Sequence, residues 1–373
     1  MGFYPYSLNS YHATIIKLPI DKHCLICYYG TDTISGNDTM PTIRDVAKLA
    51  GVAPITVSRV INNSGYITDE TRQRVEEAIR TLGYMPNSLA RSLRSHKTRM
   101  LALVLTDITN PFWTTVARGV EDAASDAGFS VILCNTDESD VEQERYIRII
   151  LEKQVDGVLL VPSGNPEEAV CTIRSQQVPV VVLDRRVPPD LETDVVRCDS
   201  IGGARRLVQL LISLGHKHIA VLTGPKGVST ADDRVVGYRQ ALAEAGLEWE
   251  LVLYGEYTLQ SGYELAKQAL KNEPRPTAFF AGNNFLAIGA LHAMRDQGLK
   301  VPEQMALVGF DDLPEALVVD PFLTVEAQPA YEMGHKATEL LLARLAGHAP
   351  ESCQEIVLPT QLIVRRSSGG TIC

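Results

Sequence analysis

Apolar residues near the start of the chain recur at the three- and four-residue spacing of short helices. A first helix begins after Thr42 and ends at Gly51, and Pro54 suits the first turn of a second helix that extends to about Asn62. A third helix is predicted over residues 69–82. Two helices joined by a turn that contains glycine are typical of a helix-turn-helix.

From residue 100 onward the pattern changes to short, fully apolar runs, each followed by a longer amphipathic segment. Seven such runs are LALVLT, SVILCN, DGVLLVP, VPVVVLD, HIAVLTG, TAFFAGN and MALVGFDD. Strands of this kind belong to parallel sheets that are covered on both faces. We therefore predict an α/β core with doubly wound parallel sheets, which residues 200–215 divide into two subdomains.

These two patterns define the predicted domain organisation. It consists of an extension (1–40), an all-α helix-turn-helix head (41–85), a linker with a short hinge helix (86–99), the two-subdomain core (100–366) and a tail (367–373). The extension has no sustained helical or strand period, and the sequence MPTIRDVAKLAGV would start naturally at Met40. We therefore expect residues 1–39 to be disordered or absent from the native product.

Charge is distributed unevenly along the chain. Residues 40–99 carry a net charge of +5, whereas residues 100–373 carry −14 within a formal total of −10. A small basic module attached to a large acidic one indicates a nucleic-acid-binding head on a body that DNA repels.

The composition, with 45% hydrophobic and 21% charged residues, is that of an ordinary globular protein. Seven scattered cysteines indicate reduced thiols in the cytoplasm rather than a disulfide framework. Cys24 and Cys27 have the spacing of half a metal site, but no second ligand pair follows nearby. No apolar run approaches the ~18 residues of a membrane helix, and phosphate-loop, nucleophile-elbow and HExxH motifs are missing. No metal, cofactor, membrane span or enzymatic activity is expected.

The second helix of a helix-turn-helix lies in the major groove, with its N-terminal residues toward the base edges. Here these residues are Pro54, Ile55 and Thr56, and Arg59 follows one turn later. Arg59 can pair bidentately with guanine, whereas Pro54 and Ile55 offer apolar contact, for instance to a thymine methyl group. The alternative is a helical hairpin that packs on another surface, with Arg59 solvated.

The linker sequence PNSLARSL could form about two helical turns, fewer than the ~12 residues that an isolated helix needs in water. Leu89 and Leu93 lie on one face of that helix, flanked by Arg91 and Arg94. Exposed leucines beside arginines suit insertion into a minor groove. A charged linker without this role is the alternative.

Ligands of open parallel sheets bind beyond the carboxyl ends of the strands. In this chain, those ends are followed by amides, carboxylates, an arginine and two aromatic residues. They include residues 107–113, Asn135, Ser163, Asp184, Arg185, Gly224, Asn283, Asn284, Asp311 and Asp312. The set suits a hydroxyl-rich ring that stacks on aromatic faces and is hydrogen-bonded at its edge, although each residue alone is more often a helix cap.

Two sets of motifs resemble the lactose-repressor/galactose-repressor family of bacterial transcription regulators. The family's head resembles the segment TIRDVAKLAGVAPITVSRVINNSGYITDETRQRVEEAIRTLGYMPNSLARSLRS. Its core resembles DITNPFW, CNTDE, VDGVLLVPS, DRR, LGHKHIAVLTGP and VGFDDLP. The resemblance covers residues 41–366 and implies a homodimer that binds a pseudo-palindromic operator, with a core like that of periplasmic sugar-binding proteins and a small-molecule effector.

The same resemblance implies roles for individual residues. Bases are read by Pro54, Ile55 and Arg59, and phosphates lie near Thr42, Thr56, Ser58 and Asn62. The hinge helix contributes Asn87, Arg91 and Leu93, the last at the position where the family inserts a leucine into the minor groove. The implied effector contacts are Asn110, Phe112, Trp113, Asn135, Asp184, Arg185, Asp232, Arg234, Asn283, Asp311 and Gln328.

Two positions depart from the family pattern. Asp232 stands where the family usually has an arginine that grips the effector, and Asn283–Asn284 replaces the usual Asn–Asp pair. Arg234 remains, as a structural residue or an effector contact. Loss of a cation argues against a phosphorylated or carboxylate effector, so we expect a neutral sugar or polyol.

The predicted function is a ligand-responsive DNA-binding regulator in the cytoplasm, most simply a repressor of a carbohydrate-utilisation operon. A solute-binding module for transport would fit the core, but the head opposes it. A sugar-modifying enzyme that uses Asp184 and Asp311 is a third hypothesis, which no cofactor motif supports.

Overall fold

The computed structural model describes residues 41–85, 97–314, 317–318 and 320–370. Its contacts divide the chain into two compact units, one ending at Asn87 and the other beginning at Ser88. The predicted extension and most of the predicted hinge helix lie outside the described residues.

The head contains three helices, α1 (Ile43–Ala50), α2 (Pro54–Ile61) and α3 (Asp69–Leu82). Gly51 and Gly83 end α1 and α3 at positive φ, which glycine adopts without strain. Small apolar residues from all three helices form its core, namely Val46, Ala47, Ala50, Val57, Val60, Val75 and Ala78. The helices begin and end within one residue of their predicted limits.

The core alternates strands and helices. Its described strands are β1 (Met100–Leu105), β2 (Ser130–Asn135), β3 (Gly157–Leu160), β4 (Val180–Leu183), β5 (Asp194–Cys198), β6 (Ile219–Thr223), β7 (Leu251–Tyr254), β8 (Ala278–Ala281), β9 (Ala306–Phe310), β10 (Thr324–Ala327), β11 (Glu355–Leu358) and β12 (Gln361–Ile363). Its α-helices are α4 (Pro111–Asp126), α5 (Asp140–Glu152), α6 (Pro166–Ser175), α7 (Ser200–Ser213), α8 (Ser229–Glu244), α9 (Leu259–Ala269), α10 (Asn284–Asp296) and α11 (Ala330–Ala346).

The strands form two six-stranded sheets, one in each subdomain. The first has the order β11-β5-β4-β3-β1-β2 and the second the order β12-β10-β9-β8-β6-β7. All neighbours are parallel except β10 and β12, which pair antiparallel. Apolar clusters cover both faces of each sheet. The predicted helix-turn-helix head and two-subdomain α/β core are confirmed, with one antiparallel edge strand as a correction.

The chain crosses between the subdomains three times, after β5, after β10 and after β11. Each subdomain is therefore built from separate stretches of sequence, and the carboxyl ends of the strands of both sheets border the space between them. In the parts of the chain that the structure describes, no helix is both long enough and apolar enough to cross a membrane.

Candidate ligand cavity and nucleic-acid interface

A cavity of about 420 Å³ lies between the two subdomains, at the carboxyl ends of their strands. Its size is that of small-molecule sites in proteins. Nine of the predicted effector contacts line it, namely Asn110, Phe112, Trp113, Asp184, Arg185, Arg234, Asn283, Asp311 and Gln328. Nine further residues complete the lining, namely Thr106, Asp107, Thr109, Asp137, Glu138, Thr230, Glu256, Tyr257 and Thr258.

Each sheet supplies one buried aspartate to the cavity from the position directly after a strand. Asp184 follows β4 and Asp311 follows β9, and both are buried with φ near +66° and +67°. Residues other than glycine rarely adopt this backbone conformation, and such strain concentrates at functional sites. Burial raises the pKa of Asp184 to about 6, although Arg234 and Arg185 oppose the shift. Burial also raises the pKa of Asp311.

Arg234 is the cation that accompanies these carboxylates. It projects from α8, is 3% exposed, and donates from Nη1 to the carbonyl of Gly282 at 2.6 Å. Its guanidinium lies over the ring of Phe310, 4.3 Å from the centroid, a favourable cation–π geometry. The carboxyl groups of Asp184 and Asp311 both experience its charge.

Asp232 does not line the cavity, although it was expected among the effector contacts. It lies on α8 two positions before Arg234, which lines the cavity. Two positions on a helix differ in direction by roughly 200°, so the two side chains point to different sides of α8. The cavity therefore keeps an arginine, and the argument for a neutral effector from a lost cation at position 232 is wrong.

A second arginine, Arg185, is 4% exposed and already paired. Its Nη2 atom donates to both carboxylate oxygens of Glu138, at 2.6 and 2.7 Å. Its Nη1 atom donates to the carbonyls of Pro162 and of Ser163, the latter at 2.9 Å. Both cations of the lining are thus balanced by carboxylates of the lining.

Three aromatic side chains line the cavity. The rings of Phe112 and Trp113 are 4.8 Å apart in an edge-to-face arrangement. The ring of Tyr257 packs on Gly224, where a Cβ atom would lie only 2.2 Å from it. Gly224 is therefore required for Tyr257 to occupy its place. The hydroxyl of Tyr257 is 3.3 Å from Oγ1 of Thr230.

Several buried polar atoms of the lining have no hydrogen-bond partner within the described part of the chain. They are Oγ1 of Thr106, Oδ1 of Asp184, Nε of Arg185, Nε of Arg234 and Oε1 of Gln328. Buried polar groups are otherwise almost always paired, because an unpaired group loses its hydration without compensation. Donors and acceptors are both represented, which is the complement of a ring carrying hydroxyl groups.

Asparagine side chains have different roles around the cavity. Asn283 caps α10 by accepting from the backbone N–H of Leu286. Asn110 and Asn284 donate to each other's amide oxygens at 3.1 and 3.0 Å, which joins α4 of the first subdomain to α10 of the second. Asn135 lies outside the lining, because it accepts from the backbone N–H of Ile108 and donates to Asp137.

A second contact also joins the subdomains beside the cavity. Arg186 donates to both carboxylate oxygens of Asp233, at 2.7 to 3.0 Å, and its backbone N–H donates to Ser229. Arg186 follows β4 of the first subdomain, whereas Asp233 and Ser229 belong to α8 of the second. The residues described include no group of three or more His, Cys, Asp or Glu side chains that could hold a metal ion.

In the head, α2 buries Val57 and Val60 and exposes its opposite face. That face presents Pro54, Ile55, of which 54% is exposed, and Arg59. An exposed branched apolar residue beside an exposed arginine fits direct contact with base edges. The geometry favours groove binding over the alternative of a packed hairpin.

The predicted phosphate contacts lie around this face, and some also hold local structure. Thr42 donates to Asp45 from its backbone N–H and its hydroxyl, and Asn62 donates to the carbonyl of Ser58 at 2.8 Å. Thr56 is half-buried. The predicted contacts Asn87, Arg91 and Leu93 lie outside the described residues.

Tyr66 is a candidate that the sequence argument missed. It lies in the loop between α2 and α3, and 93% of it is exposed. Its phenolic hydroxyl is open to solvent, and tyrosine hydroxyls are among the groups that contact phosphates in protein–DNA complexes.

Comparisons with known proteins agree with this architecture. The family model for bacterial regulatory proteins of the lacI family matches residues 42–87, and the model for periplasmic binding proteins and the sugar binding domain of the LacI family matches residues 98–365. The HTH-type transcriptional regulator DegA of Bacillus subtilis (strain 168) is 38% identical over 336 residues, which cover 88% of this chain and 98% of that protein.

The ribose operon repressor of Escherichia coli (strain K12) is 35% identical over 335 residues, which cover 88% of this chain and all of that protein. Among solved structures, the lac repressor dimer bound to operator and an anti-inducer is similar with a TM-score of 0.79 and 27% identity. That match covers 88% of this chain and 99% of the other.

Proposed function

The chain belongs to the lacI family of bacterial regulatory proteins, and from this premise we propose a repressor whose effector is a neutral, hydroxyl-rich ring of monosaccharide size. DNA-binding transcriptional regulation is the function of the family.

The observation that carries the effector proposal is the set of unpaired polar atoms beside three aromatic rings. A sugar hydroxyl can donate to Oδ1 of Asp184 while it accepts from Nε of Arg234, so that one group satisfies two protein atoms. Such pairing discriminates strongly, because a ligand without the hydroxyl leaves both atoms buried and unpaired. Phe112 and Trp113 offer apolar faces for the C–H side of the ring.

Charge argues against an anionic effector. The described lining contains two arginines and six carboxylates, namely Asp107, Asp137, Glu138, Asp184, Glu256 and Asp311. Arg185 is paired with Glu138, and Arg234 lies near Asp184 and Asp311. A phosphate or carboxylate group of a ligand would therefore meet a net negative potential. Neutral sugars avoid this repulsion.

Switching follows from the position of the cavity between two subdomains. An effector that contacts Asp184 in one subdomain and Arg234 in the other favours the conformation in which both reach it. The free energy of operator binding then changes by the difference between the free energies with which the effector binds the two conformations, typically ~1–3 kcal/mol.

We propose that the head binds a pseudo-palindromic operator as part of a dimer in the bacterial cytoplasm. The similar lac repressor structure is a dimer bound to operator. Phosphate contacts supply affinity, and Ile55 and Arg59 supply discrimination between bases. We also propose that the cavity binds its ligand without converting it, since the related proteins are named as regulators.

The decisive experiment is a thermal-shift screen of the full chain against neutral sugars, sugar phosphates, sugar acids and purines. A ligand at about 100 times its Kd stabilises the bound state by ~2.7 kcal/mol, which raises the core's Tm by about 5 °C. A shift with a neutral pentose or hexose supports the proposal, and recovery of that sugar unchanged separates binding from catalysis. Shifts confined to phosphates, acids or purines would contradict it.

A further inference from the structure

Arg185 has almost no hydrogen-bonding capacity left for a ligand. Its two terminal nitrogens are engaged by Glu138 and by the carbonyls of Pro162 and Ser163, and only Nε has no partner in the described chain. A buried guanidinium that lines a cavity would otherwise be a strong site for a carboxylate or phosphate, since its geometry matches both bidentately.

The partner carboxylate is held in place by an unusual backbone. Asp137 and Glu138 follow β2 with φ of +51° and +58°, two consecutive non-glycine residues in the left-handed region. Such strain persists only where the surroundings fix it. Here the amide of Asn135 holds Asp137, and the ion pair with Arg185 holds Glu138, whose side chain is 21% exposed.

Glu138 thus occupies the face of Arg185 that a ligand anion would need, and it comes from a loop rather than from the strand-end positions that supply the aspartates. We propose that Glu138 is a specificity-determining residue, a built-in carboxylate that excludes anionic sugars and leaves only Nε of Arg185 for a neutral hydroxyl. This inference rests on the proposed function and adds the residue that enforces its selectivity.

The first test does not depend on any sugar. Glu138→Ala removes the carboxylate and leaves Arg185 buried without a counter-charge, so formate should bind in its place. We expect sodium formate to raise the Tm of Glu138→Ala saturably above the response to sodium chloride of equal ionic strength. The wild type and Glu142→Ala should show no such difference, because the Glu142–Arg145 pair is a surface contact with both side chains exposed.

Glu138→Gln keeps the shape of the side chain and removes only its charge, so it leaves no space for formate beside Arg185 and should respond no more than the wild type. Equal formate responses in both variants and the wild type would overturn the proposal. Failure of Glu138→Ala to fold even when formate is present would do so as well, since formate restores the missing charge.

The second test uses calorimetric titration of the full chain with D-ribose and with D-ribonate. In Glu138→Ala, the ratio of the ribonate Kd to the ribose Kd should fall at least about tenfold relative to the wild type, because the buried arginine regains a free face. An unchanged ratio would contradict the inference. If neither compound binds the wild type while formate still rescues Glu138→Ala, ribose is the wrong effector but the role of Glu138 stands.

Discussion

The exposed face of α2 in the head and the cavity of the core place polar side chains in opposite environments. In the head, Arg59 and Ile55 are exposed, and the hydrogen bonds of Thr42 and Asn62 reach residues only three or four positions away. In the cavity, Asp184 and Arg234 are buried, and Asn110 contacts Asn284 from 174 positions away. The hydrogen bonds of the head are local and exposed to water, whereas those of the cavity are buried and join distant parts of the chain.

This difference predicts how each site couples to folding. An exposed side chain exchanges water for DNA on binding, so its removal changes binding and leaves stability nearly intact. A buried charge depends on its partners in the free protein as well, so its removal changes stability and ligand binding together. Four substitutions or conditions test that distinction.

The largest effect is expected for Arg234→Ala. Its removal takes away the cation that the buried carboxyl groups of Asp184 and Asp311 share, which should lower the free energy of unfolding of the core by about 3–5 kcal/mol. Chemical denaturation of the full chain, followed by tryptophan fluorescence, measures this loss.

Arg118→Ala is the matched control, because Arg118 forms a surface pair with Asp122 and 67% of its side chain is exposed. That pair should contribute no more than about 1 kcal/mol. Adding Asp184→Asn and Asp311→Asn to Arg234→Ala should recover much of the lost stability. An Arg234→Ala loss no greater than the control would mean that the cavity charges are effectively solvated.

The same contrast explains how much could be predicted from the sequence. The helices of the head were predicted to within a residue, since caps such as Thr68 and Gly51 and the apolar spacing act within one or two turns. In the core, all seven apolar runs form strands, and the predicted residues after β1, β4, β8 and β9 line one cavity. Asn135, Ser163 and Gly224, which follow β2, β3 and β6, do not line it.

The errors have physical causes. Tyr257 was missed because it follows β7, a half-buried edge strand of four residues that was not among the seven predicted apolar runs. Glu138 was missed because its direction depends on two left-handed residues, which no pattern of apolar positions reveals. Asn135 stands at a strand end as predicted, but its amide is used within the loop.

A smaller effect is expected for Arg59→Ala, and on binding alone. Loss of a bidentate contact to guanine should weaken operator binding by about 1–3 kcal/mol and relax specificity at one base position. Gel-shift titration at fixed salt and selection from a randomised site measure the two effects. Arg80→Ala, on the exposed side of α3, is the control for lost charge. Unaltered base preference would show that Arg59 contacts only phosphates.

The third prediction uses pH to separate ligand binding from stability at Asp184. Its pKa of about 6 lies above the ordinary value of 3.8. Its contribution to the stability of the ligand-free core is therefore fully present below about pH 3.8 and is lost as pH rises through about 6. A sugar hydroxyl that donates to the carboxylate favours the ionised form, so effector affinity should instead fall about tenfold between about pH 7 and pH 5.

Asp184→Asn is the control, because an amide does not titrate in this range and should flatten both pH dependences. Titration calorimetry and Tm measurements at the two pH values provide the readouts. The two slopes should have opposite signs in the wild type. Slopes that persist in Asp184→Asn would assign them to another group of the cavity.

The smallest effect is expected for Thr68→Ala, which tests whether the head is governed by local contacts alone. Oγ1 of Thr68 accepts from the backbone N–H of Thr71 and so caps α3, and loss of an N-cap typically costs ~1 kcal/mol. Thr68 is exposed, and the buried residues of α3 are Val75 and Ala78, so the substitution leaves the packing of the helix intact. Thr68→Ser is the control, because serine keeps the hydroxyl that caps the helix. Hydrogen exchange of α3 amides measures the loss. In contrast to Arg234→Ala, Thr68→Ala should leave effector affinity unchanged, and a change of more than about threefold would mean that helix stability in the head is coupled to the cavity.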